Sequence, residues 1–136
     1  GLRSIKTITH QFEVAGDYVV MLEVMDLGGY TNYYSKEIHV TNPNTPPIAD
    51  FTVDPSTGDV NTKFHLDASI SSDLEDSIEV LEVRWDWENN EIYDTEFSTI
   101  KEVNKQFDQV GTHLVKIQIR DSGGLLSTKV KYIIVN

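Results

Sequence analysis

The chain has no cysteine at all, which removes disulfides, thiolate catalysis and cysteine-ligated zinc from consideration in one step. Basic residues are also scarce. With 11 Lys and Arg against 22 Asp and Glu, the formal charge of −11 repels phosphate backbones and anionic lipid, so nucleic acid is a poor partner and divalent cations suit better. The longest apolar runs, such as Tyr18 to Leu22, fall far short of the roughly 18 residues that a membrane span needs, so no membrane insertion is expected. No stretch carries a sustained helical period, and of the four prolines three fall between Pro43 and Pro47. Three prolines so close do not fit inside a sheet, which makes 42–47 a stiff linker between residues 1–41 and 48–136.

Most of what remains is alternation. Strands are expected over Ser4–Phe12, Asp17–Met25 and Tyr30–Val40, with Tyr18, Val20, Leu22 and Val24 sharing the buried face of the second. After the linker, Ala49-Phe51-Val53 and Phe64-Leu66-Ala68 alternate around a Pro55-to-Gly58 turn. Leu81, Val83, Trp85 and Trp87 then place two indoles on one face, and Trp85 is the expected centre of a core. From Ser98 the first segment returns. Ile5-Lys6, Gln11-Phe12, Gly16, Asp26 and Gly28-Gly29 recur as Ile100-Lys101, Gln106-Phe107, Gly111, Asp121 and Gly123-Gly124, at a constant offset of 95 positions. An ungapped repeat of this length means small domains in tandem. The class is all-β, with Gly and Pro turns at the spacing of an immunoglobulin-like β-sandwich, one complete domain preceded by the rear part of another copy. No signal peptide is present and the chain opens inside a repeat, so it reads as a piece whose targeting segment would lie upstream.

Two acidic loops are the candidate chemistry. Asp67 to Glu96 holds 11 of the 22 acidic residues, with Arg84 the one base among them. Asp86, Glu88, Asn90 and Asp94 follow positions one, three, five and nine of a calcium loop, with Ile92 placed to offer a carbonyl; Glu91 stands where such a loop wants glycine and Phe97 where it wants a bidentate Glu. The bland reading is a solvated loop. Asp73, Glu75 and Asp76 make a second cluster, which strand pairing could bring toward the first. His10, His39, His65 and His113 sit on separate expected strands with no partnered nucleophile or metal spacing, and no cleft for paired carboxylates is evident, so no enzyme is expected. Tyr30, Tyr33 and Tyr34 cluster after the first hairpin, as ring packing on a sheet or as a glycan or protein contact.

The residues Ala49-Asp-Phe51, Leu66-Asp-Ala-Ser69 with Ser71-Ser-Asp73, Trp85-Asp-Trp87, Val110-Gly-Thr112 and Arg120-Asp-Ser-Gly-Gly124 resemble the PKD (polycystic kidney disease) domain family. The resemblance covers nearly all of residues 44–136, and Ser4–Thr41 looks like the rear half of another copy. It departs where the family continues with Gly-Asp-Gly and this chain has Glu88-Asn-Asn90 and a longer loop. The resemblance implies a non-catalytic module of a secreted or surface-displayed protein that spaces larger domains or touches protein or glycan; the one cofactor to consider, calcium, comes from the spacing of the acidic loop alone. The module's partners would be the other domains of the same polypeptide. The alternative is a carbohydrate-binding accessory module of a secreted hydrolase. A half-copy would leave a core face bare, to be covered by the same segment of another chain or by folding back on the second domain, and the short, stiff linker favours the first.

Overall fold

In a computed structural model, residues 6–136 are described, and they divide into two compact units at Pro43/Asn44. Every described element is a β-strand.

The first unit is a hairpin, β1 (Gly16–Met25) with β2 (Thr31–Val40), antiparallel with Gly16 opposite Val40 and Met25 opposite Thr31. The strand expected over Ser4–Phe12 does not form in its described part, residues 6–12; Ser4 and Ile5 lie outside the described residues. The face expected to be buried is also open, with Val20, Leu22 and Val24 44–57% exposed. A two-stranded ribbon has no facing sheet, and Ile8, His10 and Phe12 stand beside Val20 and Ile38 without sealing them, so alternation is there with little burial. What order the entry segment has comes from Phe12, which packs on the Tyr18 ring at 4.4 Å, and from the Tyr18 hydroxyl, which donates to the Val14 carbonyl at 2.6 Å.

The second unit is a sandwich of two sheets. One has the order β3 (Thr52–Asp54), β5 (Phe64–Asp67), β7 (Glu102–Lys105); the other has β4 (Thr57–Gly58), β9 (Leu126–Val135), β8 (Gly111–Arg120), β6 (Glu82–Asp86). Only the β4–β9 pair is parallel. The alternations read from the sequence point inward as expected: Phe51, Phe64, Leu66 and Ala68 from one side meet Val83, Trp85, Val115, Ile117, Ile119 and Ile133 from the other. Trp85 is 3% exposed and meets the Phe51 ring edge-on at 5.3 Å. Trp87, two residues on, stacks on Trp85 at the border of this core. Residues 44–48, which the sequence assigns almost wholly to the linker, are tied to the second unit. Asn44 Nδ2 donates to Asp121 Oδ2 at 3.0 Å, Pro47 is buried, and Ile48 bridges Ser72.

The two hairpins match at the sequence offset of 95. Gly111 stands opposite Val135 as Gly16 stands opposite Val40, and Arg120 faces Leu126 as Met25 faces Thr31. Their turns close alike, with the Asp26 and Asp121 carboxylates accepting the Tyr30 and Leu125 amides at 3.0 and 2.8 Å. Gly29 and Gly124 take φ of 85° and 89°, a region that a side chain would strain. Even the Tyr18 tether recurs, as His113 Nε2 donating to the Gln109 carbonyl at 2.8 Å with the ring against Phe107.

Candidate functional site

Asp86 is the last residue of β6, and its carboxylate is fully buried. A buried carboxylate must find donors. Here Oδ1 accepts the amides of Glu88 and Asn90 at 3.3 and 3.2 Å and Oδ2 that of Glu91 at 2.9 Å, while Lys116 Nζ, opposite on β8, lies 3.8 Å away. Lys116 also bonds the Glu91 carboxylate, which together with Asp86 holds the ammonium pKa above its ordinary range. These bonds pull the backbone tight enough that Asn89 and Glu91 adopt φ of 50° and 69°. Glu91 therefore takes the left-handed turn for which the calcium-loop pattern wants glycine.

The remaining members of the sequence pattern are engaged separately. Asp94 Oδ2 accepts the Trp87 amide at 2.8 Å, Asn90 Oδ1 accepts the Ile92 amide at 2.9 Å, and Glu88 takes the Asn90 side-chain amide at 3.1 Å. Asp86, Glu88, Asn90 and Asp94 thus hold one loop closed by bonding its own amides.

The length of that loop has a structural use. Past Glu91 the chain turns back along β6, an edge strand: the Asp94 amide donates to the Trp85 carbonyl, Thr95 accepts the Trp85 amide, and Ser98 exchanges two bonds with Val83. This covers an edge that would otherwise be open to a foreign strand. Over the outer face of β6 and β8, rings and cations alternate. Arg120 lies 3.9 Å from the Phe97 ring, Arg84 lies 4.5 Å from Phe97 and 3.8 Å from Tyr93, and Lys116 lies 5.4 Å from Tyr93. Glu82 and Gln118 bond the two guanidinium groups from below. The three cations under the loop offset the carboxylates above it. The sequence signal was the spacing of Arg84, Lys116 and Arg120 on neighbouring strands, visible only once the register is known.

The second cluster is built differently. Asp73 Oδ2 accepts the amides of Glu75 and Asp76 at 2.9 and 2.8 Å, but its Oδ1 is buried with no partner. Around it, Glu75 accepts from the Thr45 hydroxyl, and Asp76 accepts both the amide and the hydroxyl of Ser122 in the β8–β9 turn. This cluster sits against the hairpin turn, whereas Asp86 faces the middle of β8, so strand pairing does not bring the two together.

Of the histidines, His39 pairs with Asp17, His113 has its tether, and His10 lies in the irregular entry segment against Phe12. His65 faces Asn104 across β5–β7. Its neighbours Asp67 and Glu102 bring ligand atoms within 4.8 Å of one another, a grouping that the one-chain spacing hid. Asp67 there bonds Ser69, whose hydroxyl and amide keep that carboxyl below its usual range. Tyr30, Tyr33 and Tyr34 are 57–80% exposed around an open concavity with Asp26 and Asn32.

No family profile and no curated protein matches the chain. Solved structures do. One chain, described by its structural report as addressing the promiscuous specificity of carbohydrate-binding modules of the β-sandwich superfamily, is 25% identical, with a TM-score of 0.59 over 70% of this chain and 36% of that one. This chain thus spans about a third of that protein. The PKD1 domain of Vibrio anguillarum Epp is similar at 18% identity, TM-score 0.52, over 69% of this chain and 98% of the domain. The PKD1 domain of the Vibrio cholerae metalloprotease PrtV is similar at 20% identity, TM-score 0.52, over 68% and 99%. With its two-sheet core around Trp85 and its covered Trp-strand edge, the second unit is a PKD-like all-β sandwich domain.

Proposed function

We propose that this chain belongs to a tandem array of PKD-like sandwiches, a non-catalytic module of a secreted or surface-displayed protein that spaces neighbouring domains and offers surfaces for contact. The observation that carries it is the bare hairpin. Val20, Leu22, Val24, Ile38 and Val40 occupy, at the offset of 95, the positions of Val115, Ile117, Ile119, Ile133 and Val135, all of which are buried in the sandwich. A hairpin with the core face of a rear sheet is written for a front sheet.

The test is a transplant. A chain in which residues 16–40 replace 111–135 should unfold cooperatively, provided Met21→Lys and Met25→Arg restore partners for Asp86 and Glu82. Of the five core positions only two then change, Ile117→Leu and Ile119→Val, and a sandwich tolerates conservative hydrophobic swaps of this kind when the pattern is kept. An unfolded or molten transplant would sink the tandem reading.

Calcium has a narrower place in this reading than the sequence pattern gave it. Asp86 has its lone pairs occupied by amides and an ammonium beside it, a poor welcome for a dication. Asp73, with a buried oxygen lacking any donor and Glu75 and Asp76 beside it, fits a hard cation better, since an orphaned carboxylate oxygen costs free energy that a bound cation would recover. Asp73, Glu75 and Asp76 would hold it, and it would brace the β8–β9 turn.

A further inference from the structure

On the outer face of the three-stranded sheet, His65, Asp67 and Glu102 bring one ligand atom each within 4.8 Å of one another. The register puts them there. Phe64, Leu66 and Ala68 point into the core, which turns His65 and Asp67 outward on β5, and Glu102 stands directly opposite Asp67 on β7. Because the Ala68 amide donates to the Lys101 carbonyl at 2.9 Å, the next pair along, Asp67 and Glu102, is of the closer, non-hydrogen-bonded kind. Two carboxylates facing each other there repel. Among the described residues no Lys or Arg pairs with either of them, and the one basic side chain at hand is His65.

The imidazole is already oriented. Asn104 Oδ1 accepts from His65 Nδ1 at 3.1 Å, so in the neutral ring the bare lone pair is on Nε2, the nitrogen on the Glu102 side. Nε2 lies 3.5 Å from Glu102 Oε1, beyond the roughly 3.2 Å limit of an ordinary N–H···O bond. That separation suits a shared ion, because two ligands each about 2.1 Å from a tetrahedral centre stand about 3.4 Å apart. Asp67 accepts the Ser69 amide through Oδ1 at 2.9 Å and has further lone pairs to offer. An imidazole in the set points away from calcium and magnesium, which take oxygen, and toward a borderline transition metal. We infer that His65, Asp67 and Glu102 form a binding site for a divalent ion of the zinc class, held by His65 Nε2 and one oxygen of each carboxylate, with water in the fourth position. The ion cancels the repulsion of the carboxylate pair and ties β7, an edge strand held by β5 alone, to its neighbour. The inference concerns the second unit alone and is independent of the tandem reading and of calcium at Asp73.

The test titrates the 136-residue chain with zinc chloride to about 0.1 mM, at about pH 7.5 and with about 1 mM calcium present to fill oxygen-only sites, following heat and the nitrogen resonances of the imidazoles. One equivalent of zinc should bind and shift His65 Nε2 while Nδ1 keeps its proton. His65→Ala should weaken binding at least about tenfold, as should Glu102→Gln, and Asn104→Ala, which keeps all three ligands but frees the ring, should weaken it about tenfold. In the absence of zinc, Glu102→Gln should not lower the melting temperature, since it removes one of two facing charges. His39→Ala, on the other His-carboxylate pair, should leave zinc binding unchanged. His65 resonances that ignore zinc but move with Glu102→Gln would mean an ion pair only and overturn the proposal. Binding that survives both His65→Ala and Glu102→Gln, or that calcium displaces, or that is lost with His39→Ala instead, would overturn it too.

Discussion

The two hairpins of this chain have the same length, the same register and the same turn, yet one is the heart of a core and the other is bare. Ile117 is fully buried and Leu22, its counterpart, is 57% exposed. The difference separates what a hairpin holds locally from what it borrows. Register follows from the turn, where an Asp carboxylate and a left-handed glycine fix which residues face each other. Burial follows from the facing sheet, and Phe51, Phe64 and Leu66 supply it for only one of the pair. The outer faces diverge as well. Lys116, Gln118 and Arg120 on β8 become Met21, Glu23 and Met25 on β1, so the cations that clamp the loop over the second hairpin have no counterpart on the first.

The comparison is broken most readily in the core. Trp85→Ala should cost about 3–5 kcal/mol and Ile117→Ala about 2–5 kcal/mol as large-to-small changes in a packed interior. Leu22→Ala, at the matching site, should move stability by no more than about 0.5 kcal/mol. Urea denaturation of the three variants measures all of this, and equal costs for Ile117 and Leu22 would erase the distinction.

Next in size is the exchange of an outer-face residue between the hairpins. Lys116→Met gives the second hairpin the residue of the first and leaves the buried Asp86 carboxylate without its cation, at a cost of about 3 kcal/mol. Alkali should mimic it. Because the bond to Glu91, aided by Tyr93 and Asp86, raises the folded pKa of Lys116 above the ordinary 10.5, its contribution is complete below that value and is lost as pH rises through the folded pKa. The natural chain should lose stability there relative to Lys116→Met, and parallel stability curves across that window would contradict the role of the pair.

A smaller effect sharpens the contrast at the turns. Ser122 of the second turn is tied to Asp76, whereas Leu27 of the first is fully exposed. Calcium at Asp73 should therefore raise the melting temperature of the second unit alone, by a few degrees that grow with the logarithm of free calcium. Asp73→Asn should abolish the rise. Asp86→Asn should lower the melting temperature and leave the calcium increment intact, and the reverse pattern would return the site to the longer loop.

Much of this was legible in the chain. Alternation placed Phe64, Leu66 and Trp85 inside, and the repeat of Gly16, Asp26 and Gly29 at Gly111, Asp121 and Gly124 foretold two like hairpins. What was not legible depends on contacts between distant segments. Val20 and Leu22 carry the same alternation as Val115 and Ile117, so no local pattern says that a cover is missing. The carboxylates of residues 86–94 have the spacing of a cation loop, and only the register that sets Lys116 beside Asp86 shows that amides and an ammonium already serve them. The same is true of His65, Asp67 and Glu102, which share a face only because β5 pairs with β7.

Amide hydrogen exchange on the 136-residue chain, at a concentration where light scattering shows a monomer, tests the central claim most directly. If the first hairpin is a rear sheet without its front, the amides of Val20, Leu22 and Val24 should exchange through local opening, orders of magnitude faster than those of Val115, Ile117 and Ile119, which should exchange only through global unfolding. Equal protection of the two sets in a monomer would contradict it, because the hairpin would then be complete as it stands.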